Sequence, residues 1–290
     1  MRNVTHTDMT VVSAVIGLIF IVMFFLQIPA RPQAWLYPVV RKATMAKIDY
    51  ETRGLAERET AHFVIKYSPA DAESIDMVAE AAEQSYTPVT KALGYETREK
   101  TIVVMYHDKA ELRKAFGWSG DQSAMGVYWG GVIQLLSPNA WMKKGDSTEE
   151  FIHSGPMVHE FTHLVFDHMT NGNYPRWFTE GLAQYVEYRV NNYEWVTAEN
   201  RFDRKLYTMQ ELDDSFDDLP NQALAYRQSL AAIRYISEVH GEGKLQQVIS
   251  LLREGKGIDK AISQSLGMDY ASFDQAWRAW GIQNMKNYER

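Results

Sequence analysis

Two histidines and a glutamate lie close together between Pro156 and Phe166, in the pattern His-Glu-x-x-His. On a helix, positions i and i+4 share one face, so we expect His159 and His163 to bind one metal ion through their imidazole nitrogens. Glu160 lies about 100° further round the helix, within reach of a water molecule on that metal. A tetrahedron of nitrogen and oxygen ligands suits zinc, which lowers the pKa of its water to about 7. The pattern therefore predicts a hydrolytic zinc site in which Glu160 accepts a proton from the water.

A catalytic zinc needs a third protein ligand and one open position. Glu180 follows His163 closely enough for the first helix to end, for a loop to form and for a second helix to return to the histidines. Glu180 is the preferred third ligand, and Glu187, two turns further along, is the alternative. A metzincin site would need Gly at position 166 and His at 169, but Phe166 and Met169 stand there.

The elements that must position these residues fall into two halves. Strands are predicted at 61–67, 101–106, 126–129 and 132–136, the last two as a hairpin on a Gly-Gly turn, and helices at 71–93 and 108–116. From about residue 148 onward the pattern is helical. The sequence therefore predicts an α+β fold, with a small αβ lobe over 56–147 and a helical lobe over 148–290. Val132–Leu136 is either an exposed edge strand on which an extended peptide pairs or a strand packed inside the sheet.

Composition excludes several other kinds of chemistry. The 290 residues carry a formal net charge of −7, which argues against a general nucleic-acid binder. The chain has no cysteine, which excludes disulfide scaffolds, thiolate zinc sites and thiol proteases. Only histidine and carboxylate side chains remain as strong metal ligands.

The N-terminal region differs from the rest of the chain. Residues 9–30 contain no charged side chain, and a stretch of this length is enough to cross a bilayer. We predict that they form a transmembrane anchor after a short tail at 1–8; a cleaved signal peptide is the alternative. Residues 31–55, which begin with several prolines, are predicted to be a linker. The positive charges that follow the segment favour a cytoplasmic C-terminal domain. An N-terminal apolar segment before one large domain usually acts as an export signal, and on this ground an extracytoplasmic domain is expected.

Trp177-Phe178-x-Glu180-Gly181-Leu182-Ala183 adds a second motif to the histidine pattern. Together the two motifs resemble the gluzincin zinc metallopeptidases, specifically the bacterial peptidase MA-like families, and the resemblance covers roughly residues 60–285. It implies a thermolysin-like two-lobed fold, one zinc ion per chain and peptide or protein substrates. It also implies His159, His163 and Glu180 as ligands and Glu160 as general base.

The resemblance leaves two parts of the site open. Thermolysin-like members carry an acidic residue four positions after the glutamate ligand, where it supports a histidine; Gln184 stands there, and an amide gives the imidazole less basicity. A donor is also needed for the developing oxyanion. Aminopeptidase-type gluzincins use a tyrosine, for which Tyr226 is the best candidate, with an ordinary amphipathic tyrosine as the alternative. Arg227 and Tyr174 are further candidates.

The sequence thus favours a membrane-anchored zinc metallopeptidase. Two alternatives stay open: an anchored binding domain of the same fold without turnover, and a zinc hydrolase of non-peptide amides. No obvious motif for recognising a free amine is present, which favours an endopeptidase.

Overall fold

A computed structural model describes residues 33–119, 124–143 and 145–285. The tail at 1–8 and the predicted anchor at 9–30 lie outside these residues. Among the helices that the structure describes, none is long and apolar enough to cross a bilayer.

The first described element is helix α1 (Gln33–Glu51), which occupies most of the segment expected to be a linker. Pro38 lies inside this helix and costs it a backbone hydrogen bond. Contacts with the rest of the domain offset that cost: Ile48 is buried, and Arg41 forms an ion pair with Asp167 at 3.0 Å. The composition of this segment suggested a linker because it does not reveal these stabilising contacts, which involve residues distant in sequence.

Five strands in the described residues form one mixed sheet. They are β1 (Ala56–Glu59), β2 (Phe63–Tyr67), β3 (Thr101–Tyr106), β4 (Gly126–Trp129) and β5 (Val132–Leu136). Their order is β1-β2-β3-β5-β4, in which β2, β3 and β5 are parallel and the two outer strands are antiparallel to their neighbours. Of the two alternatives for Val132–Leu136, the structure has the packed strand, because all of β5 is buried between β3 and β4. The edge strand of the hairpin is β4.

Helices α2 (Ile75–Leu93) and α3 (Lys109–Phe116) accompany the sheet. Asp108 begins α3, because its carboxylate accepts hydrogen bonds from the amides of Ala110 and Glu111. Both helices and the strands β2 to β5 agree with the sequence prediction within a few residues, whereas β1 was not predicted. Asp71, at which a helix was predicted to begin, lies instead in a short 3-10 turn (Pro69–Asp71) before α2.

All regular elements that the structure describes from residue 148 onward are helices. These elements are α4 (Thr148–Ser154), α5 (Met157–Thr170), α6 (Arg176–Asn191), α7 (Met209–Asp214), α8 (Gln222–His240), α9 (Glu242–Arg253), α10 (Ile258–Leu266) and α11 (Tyr270–Asn284), with a 3-10 turn at 216–218. Nearly all of α5 and the first three turns of α6 are buried. Helices that are buried all round belong to the core, so the two helices that carry the metal motifs are rigidly held. The α+β prediction, with a small mixed sheet followed by a helical lobe, is confirmed.

Candidate metal centre

Helices α5 and α6 bring the motif residues together. Helix α5 ends at Asn171, whose left-handed backbone (φ 51°) closes its last turn. Pro175 precedes the first residue of α6, so a short loop joins the two helices. Glu180 lies in the second turn of α6 and faces the histidines of α5.

The three predicted ligands converge on one point. Oε2 of Glu180 lies 3.3 Å from Nε2 of His159 and 3.4 Å from Nε2 of His163. Two ligands bound about 2.0–2.1 Å from a tetrahedral zinc lie about 3.3 Å apart. One ligand atom from each residue falls within a group no wider than 4.8 Å. This donor set can hold a metal ion, and its spacing suits zinc.

The second nitrogen of each histidine is also engaged. Nδ1 of His163 lies 2.7 Å from the Thr179 hydroxyl, and Nδ1 of His159 lies 3.5 Å from Oε2 of Glu187. These partners orient the rings with both Nε2 atoms towards the metal position. Glu187, the alternative ligand, therefore supports His159 from the opposite side of its ring. Gln184 does not bond a histidine; its amide donates to the backbone carbonyls of Tyr226 and Glu180.

The charges around the ligands favour a cation. Burial lowers the pKa of His159, but hydrogen bonds to Glu180 and Glu187 outweigh burial and raise this pKa well above its usual value. Burial also raises the pKa of Glu180, but the charges of His163 and Arg176 outweigh that effect and hold it well below its usual value. The negative carboxylates that stabilise a proton on His159 would equally stabilise a divalent cation bound to that imidazole instead of the proton. The chemistry of the donor set therefore fits zinc.

Glu160 lies between the histidines and the edge strand β4. Its side chain packs so closely on Gly126 that a Cβ atom there would lie 2.8 Å from Glu160 Cγ and 3.0 Å from its Oε1. Burial raises the pKa of Glu160, and the neighbouring histidines oppose this shift. A buried carboxylate with a raised pKa is suited to accepting a proton.

Arg176 is a site residue that the sequence reasoning missed. Its Nη2 lies 2.9 Å from Oε1 of Glu180 and 3.5 Å from the Tyr226 hydroxyl, and its Nε lies 3.5 Å from Asp217. Arg176 stands four residues before Glu180 at the start of a predicted helix. The i,i+4 rule therefore contained the signal that would have found it.

Tyr226 reaches the site because α8 lies directly against α6. A Cβ atom at Gly181 would fall 2.3 Å from the carbonyl oxygen of Ser229, so only glycine permits this approach. The charge of Glu180, followed by burial, raises the pKa of Tyr226, which therefore keeps its hydroxyl proton. The structure brings this phenol close to the predicted ligands.

The other two candidates for oxyanion donor lie elsewhere. Arg227 is fully buried and contacts Glu194 and the carbonyl of Asn200. The hydroxyl of Tyr174 donates to the buried carboxylate of Asp167 at 2.9 Å. Both side chains have structural partners away from the metal ligands.

This chain matches one protein family in sequence and several solved structures in fold. A sequence model of the Peptidase MA superfamily matches residues 82–283. A search of curated protein sequences finds no significant match. Among solved structures, aminopeptidase A of Legionella pneumophila in complex with aspartic acid is similar over 77% of this chain and 28% of that chain, with 15% identity and a TM-score of 0.50. An M1 zinc metallopeptidase mutant from Deinococcus radiodurans aligns over 81% of this chain and 52% of that chain, with 11% identity and a TM-score of 0.42. This chain spans only part of both proteins.

Proposed function

Because the chain belongs to the Peptidase MA superfamily, we propose that it is a zinc-dependent metallopeptidase that hydrolyses peptide bonds. The observation that supports this most directly is the convergence of His159, His163 and Glu180 on one point beside Glu160. Three protein ligands with a carboxylate next to them are what a hydrolytic zinc site requires.

The proposed mechanism assigns a role to each side chain. Zinc, when bound by the three ligands, acidifies water and polarises the substrate carbonyl. Glu160 takes the proton from the attacking water and passes it to the leaving amine. Burial raises the pKa of Glu160, which favours the protonated form once the carboxylate has taken the proton. The buried helices hold Glu160 and the ligands in one fixed geometry, so little reorganisation is needed during the reaction.

Tyr226 is the proposed donor to the developing oxyanion. Its raised pKa keeps the phenol protonated, and it lies within reach of Arg176 beside the ligand Glu180. A neutral donor fixed near the reacting carbonyl stabilises the transition state more than the substrate.

The edge strand β4 is the proposed site for the peptide backbone. Its inner side pairs with β5, and Gly126 at its start contacts Glu160. An extended peptide that pairs with the open side of β4 would lie alongside the general base. Because such pairing uses the backbone, we expect broad sequence tolerance and cleavage of internal peptide bonds.

Replacing the general base tests the mechanism. The E160Q variant should bind zinc with a stoichiometry near one per chain and lose hydrolysis of a peptide library, because the amide cannot accept the proton. R189Q, on the exposed end of α6, is the matched control and should retain activity. Unchanged hydrolysis in E160Q would refute the mechanism.

The wild-type chain separates the alternative functions. Bound zinc without cleavage of any peptide would favour the binding domain, and cleavage of simple acyl amides alone would favour the amide hydrolase.

We further propose that residues 9–30 anchor the protein in a membrane, with the catalytic domain outside the cytoplasm. The support is the uncharged length of this segment. The protein should resist extraction from membranes by alkaline carbonate, and protease added to intact cells should degrade the catalytic domain. Release by carbonate would contradict anchoring, full protection would reverse the sidedness, and a mature N-terminus beyond residue 30 would indicate a cleaved signal.

A further inference from the structure

The two carboxylate oxygens of Glu180 have different partners. Oε2 faces Nε2 of both histidines, at 3.3 and 3.4 Å. Oε1 lies 2.9 Å from Nη2 of Arg176. The side chain of Glu180 is only 2% exposed, so water does not compete effectively for either oxygen. The two oxygens are therefore not interchangeable in this site.

This difference bears on how Glu180 binds a metal. A carboxylate can ligate through one oxygen or through both, and with two histidines the second mode gives four protein donor atoms instead of three. A catalytic zinc keeps three protein ligands and one open position. Any neighbour that occupies Oε1 therefore protects the open position.

We propose that Arg176 is a positioning residue that restricts Glu180 to ligation through Oε2 alone and so keeps one coordination position free for the reaction. This inference rests on the proposed function, because it concerns the same metal centre. Arg176 acts through Glu180 and is not itself a metal ligand.

The surroundings of Arg176 explain why arginine suits this role. Its Nε is 3.5 Å from Asp217, and its Nη2 also contacts the hydroxyl of Tyr226. The planar guanidinium is half-exposed, and besides these two contacts at 3.5 Å it presents one N–H to Oε1 at 2.9 Å. The same contacts link the ligand Glu180 to Tyr226, so the position of the phenol depends on Arg176 as well.

Cobalt substitution of the full-length protein tests the proposal, since the absorption of Co²⁺ reports its coordination geometry. We expect the wild-type protein to show the intense visible bands of a four-coordinate ion. The R176Q variant should show the weaker bands of a five-coordinate ion, because Oε1 is released. Its kcat for a peptide should fall about 10–100-fold with little change in KM. The matched control is R189Q, on the same helix and away from the centre, which should resemble the wild type in both measurements.

The R176K variant separates charge from general disruption. A lysine keeps a positive donor near Oε1 but lacks the planar guanidinium, so the spectrum of this variant should fall between those of the wild type and R176Q. A four-coordinate spectrum in a folded R176Q protein, or a five-coordinate spectrum in the wild type, would overturn the proposal. If the wild type binds cobalt but cleaves no peptide, the proposed function fails while the spectra still test the role of Arg176.

Discussion

In each of the two histidines of the candidate metal centre, Nε2 faces the predicted metal position and Nδ1 contacts a supporting side chain. His163 is held by the hydroxyl of Thr179, and His159 by the carboxylate of Glu187. A carboxylate partner makes an imidazole a stronger electron donor than a hydroxyl does. The two histidines therefore have chemically different partners behind them, although they belong to one short motif.

The role of Glu187 can be separated from that of a ligand. In E187A, His159 loses its partner, so zinc affinity should fall about 10–100-fold while binding persists. E187Q should fall between this variant and the wild type, since an amide keeps a hydrogen-bond acceptor but loses the charge. Competition with a coloured chelator measures these affinities. If E187A abolishes zinc binding as fully as E180A does, Glu187 is a ligand and not a support.

The contact between Gly126 and Glu160 gives a second prediction for a single residue. In G126A the new methyl group would lie 2.8 Å from both Glu160 Cγ and Pro156 Cβ, so the proposed general base and the residue that precedes α5 must shift. A displacement of about 1 Å in a catalytic group can cost about 100-fold in rate, and we expect a loss of kcat of that order with unchanged zinc content. Gly54 provides the matched control, because nothing lies within 4 Å of its added Cβ. Equal activity of G126A and G54A would contradict the close packing of the general base.

At the scale of elements, a buried carboxylate connects α5, the helix of the two proposed histidine ligands, to its neighbours. Asp167 lies on α5 one turn after His163 and is fully buried. It accepts hydrogen bonds from Arg41 of α1, Tyr128 of β4 and Tyr174 of the loop that leads to α6. One side chain thus fixes the helix of the metal ligands against both the edge strand and α1.

Removing this carboxylate should destabilise the fold. In D167A, Arg41 and the two tyrosines lose their acceptor in the interior, which should lower the free energy of unfolding by about 3–5 kcal/mol. Chemical denaturation measures this change. D76A removes an exposed ion pair with Arg58 and should cost no more than about 1 kcal/mol. Similar values for the two variants would show that Asp167 does not brace these elements.

For the whole molecule, the metal is expected to couple activity to stability. The proposed ligands come from two buried helices, and the arrangement that brings them together exists only in the folded chain. A metal that binds the folded state alone stabilises it in proportion to the logarithm of its concentration relative to its Kd.

Chelation should therefore lower the melting temperature. At free zinc about 1,000 times its Kd, the stabilisation is about 4 kcal/mol, and a strong chelator should remove it. E160Q keeps the ligands and should respond like the wild type, whereas H163A should not respond to the chelator. These melting curves are followed by circular dichroism. A wild-type melting temperature that is insensitive to zinc and chelator would contradict metal binding at this centre.

The sequence by itself determined the fold class and identified the side chains of the candidate metal centre. A helical pattern places His159 and His163 on one face, and the absence of cysteine leaves histidine and carboxylate as ligands. Alternating and helical hydrophobic patterns predicted four strands, two helices and the helical character of the second half, because local periodicity reflects which face of an element is buried. These inferences depend on residues within a few turns of one another.

Tertiary structure decided what depends on contacts between distant segments. Glu187 supports His159, Arg176 binds the second oxygen of Glu180, and β4 instead of β5 forms the edge of the sheet. Helix α1 forms where composition suggested a linker, since Asp167, more than 100 residues away, binds Arg41. Spacing along a helix shows which side chains share a face, but not which helix or strand that face meets. Long-range packing alone decides that, and it determined here which carboxylate is positioned to ligate and which supports a ligand.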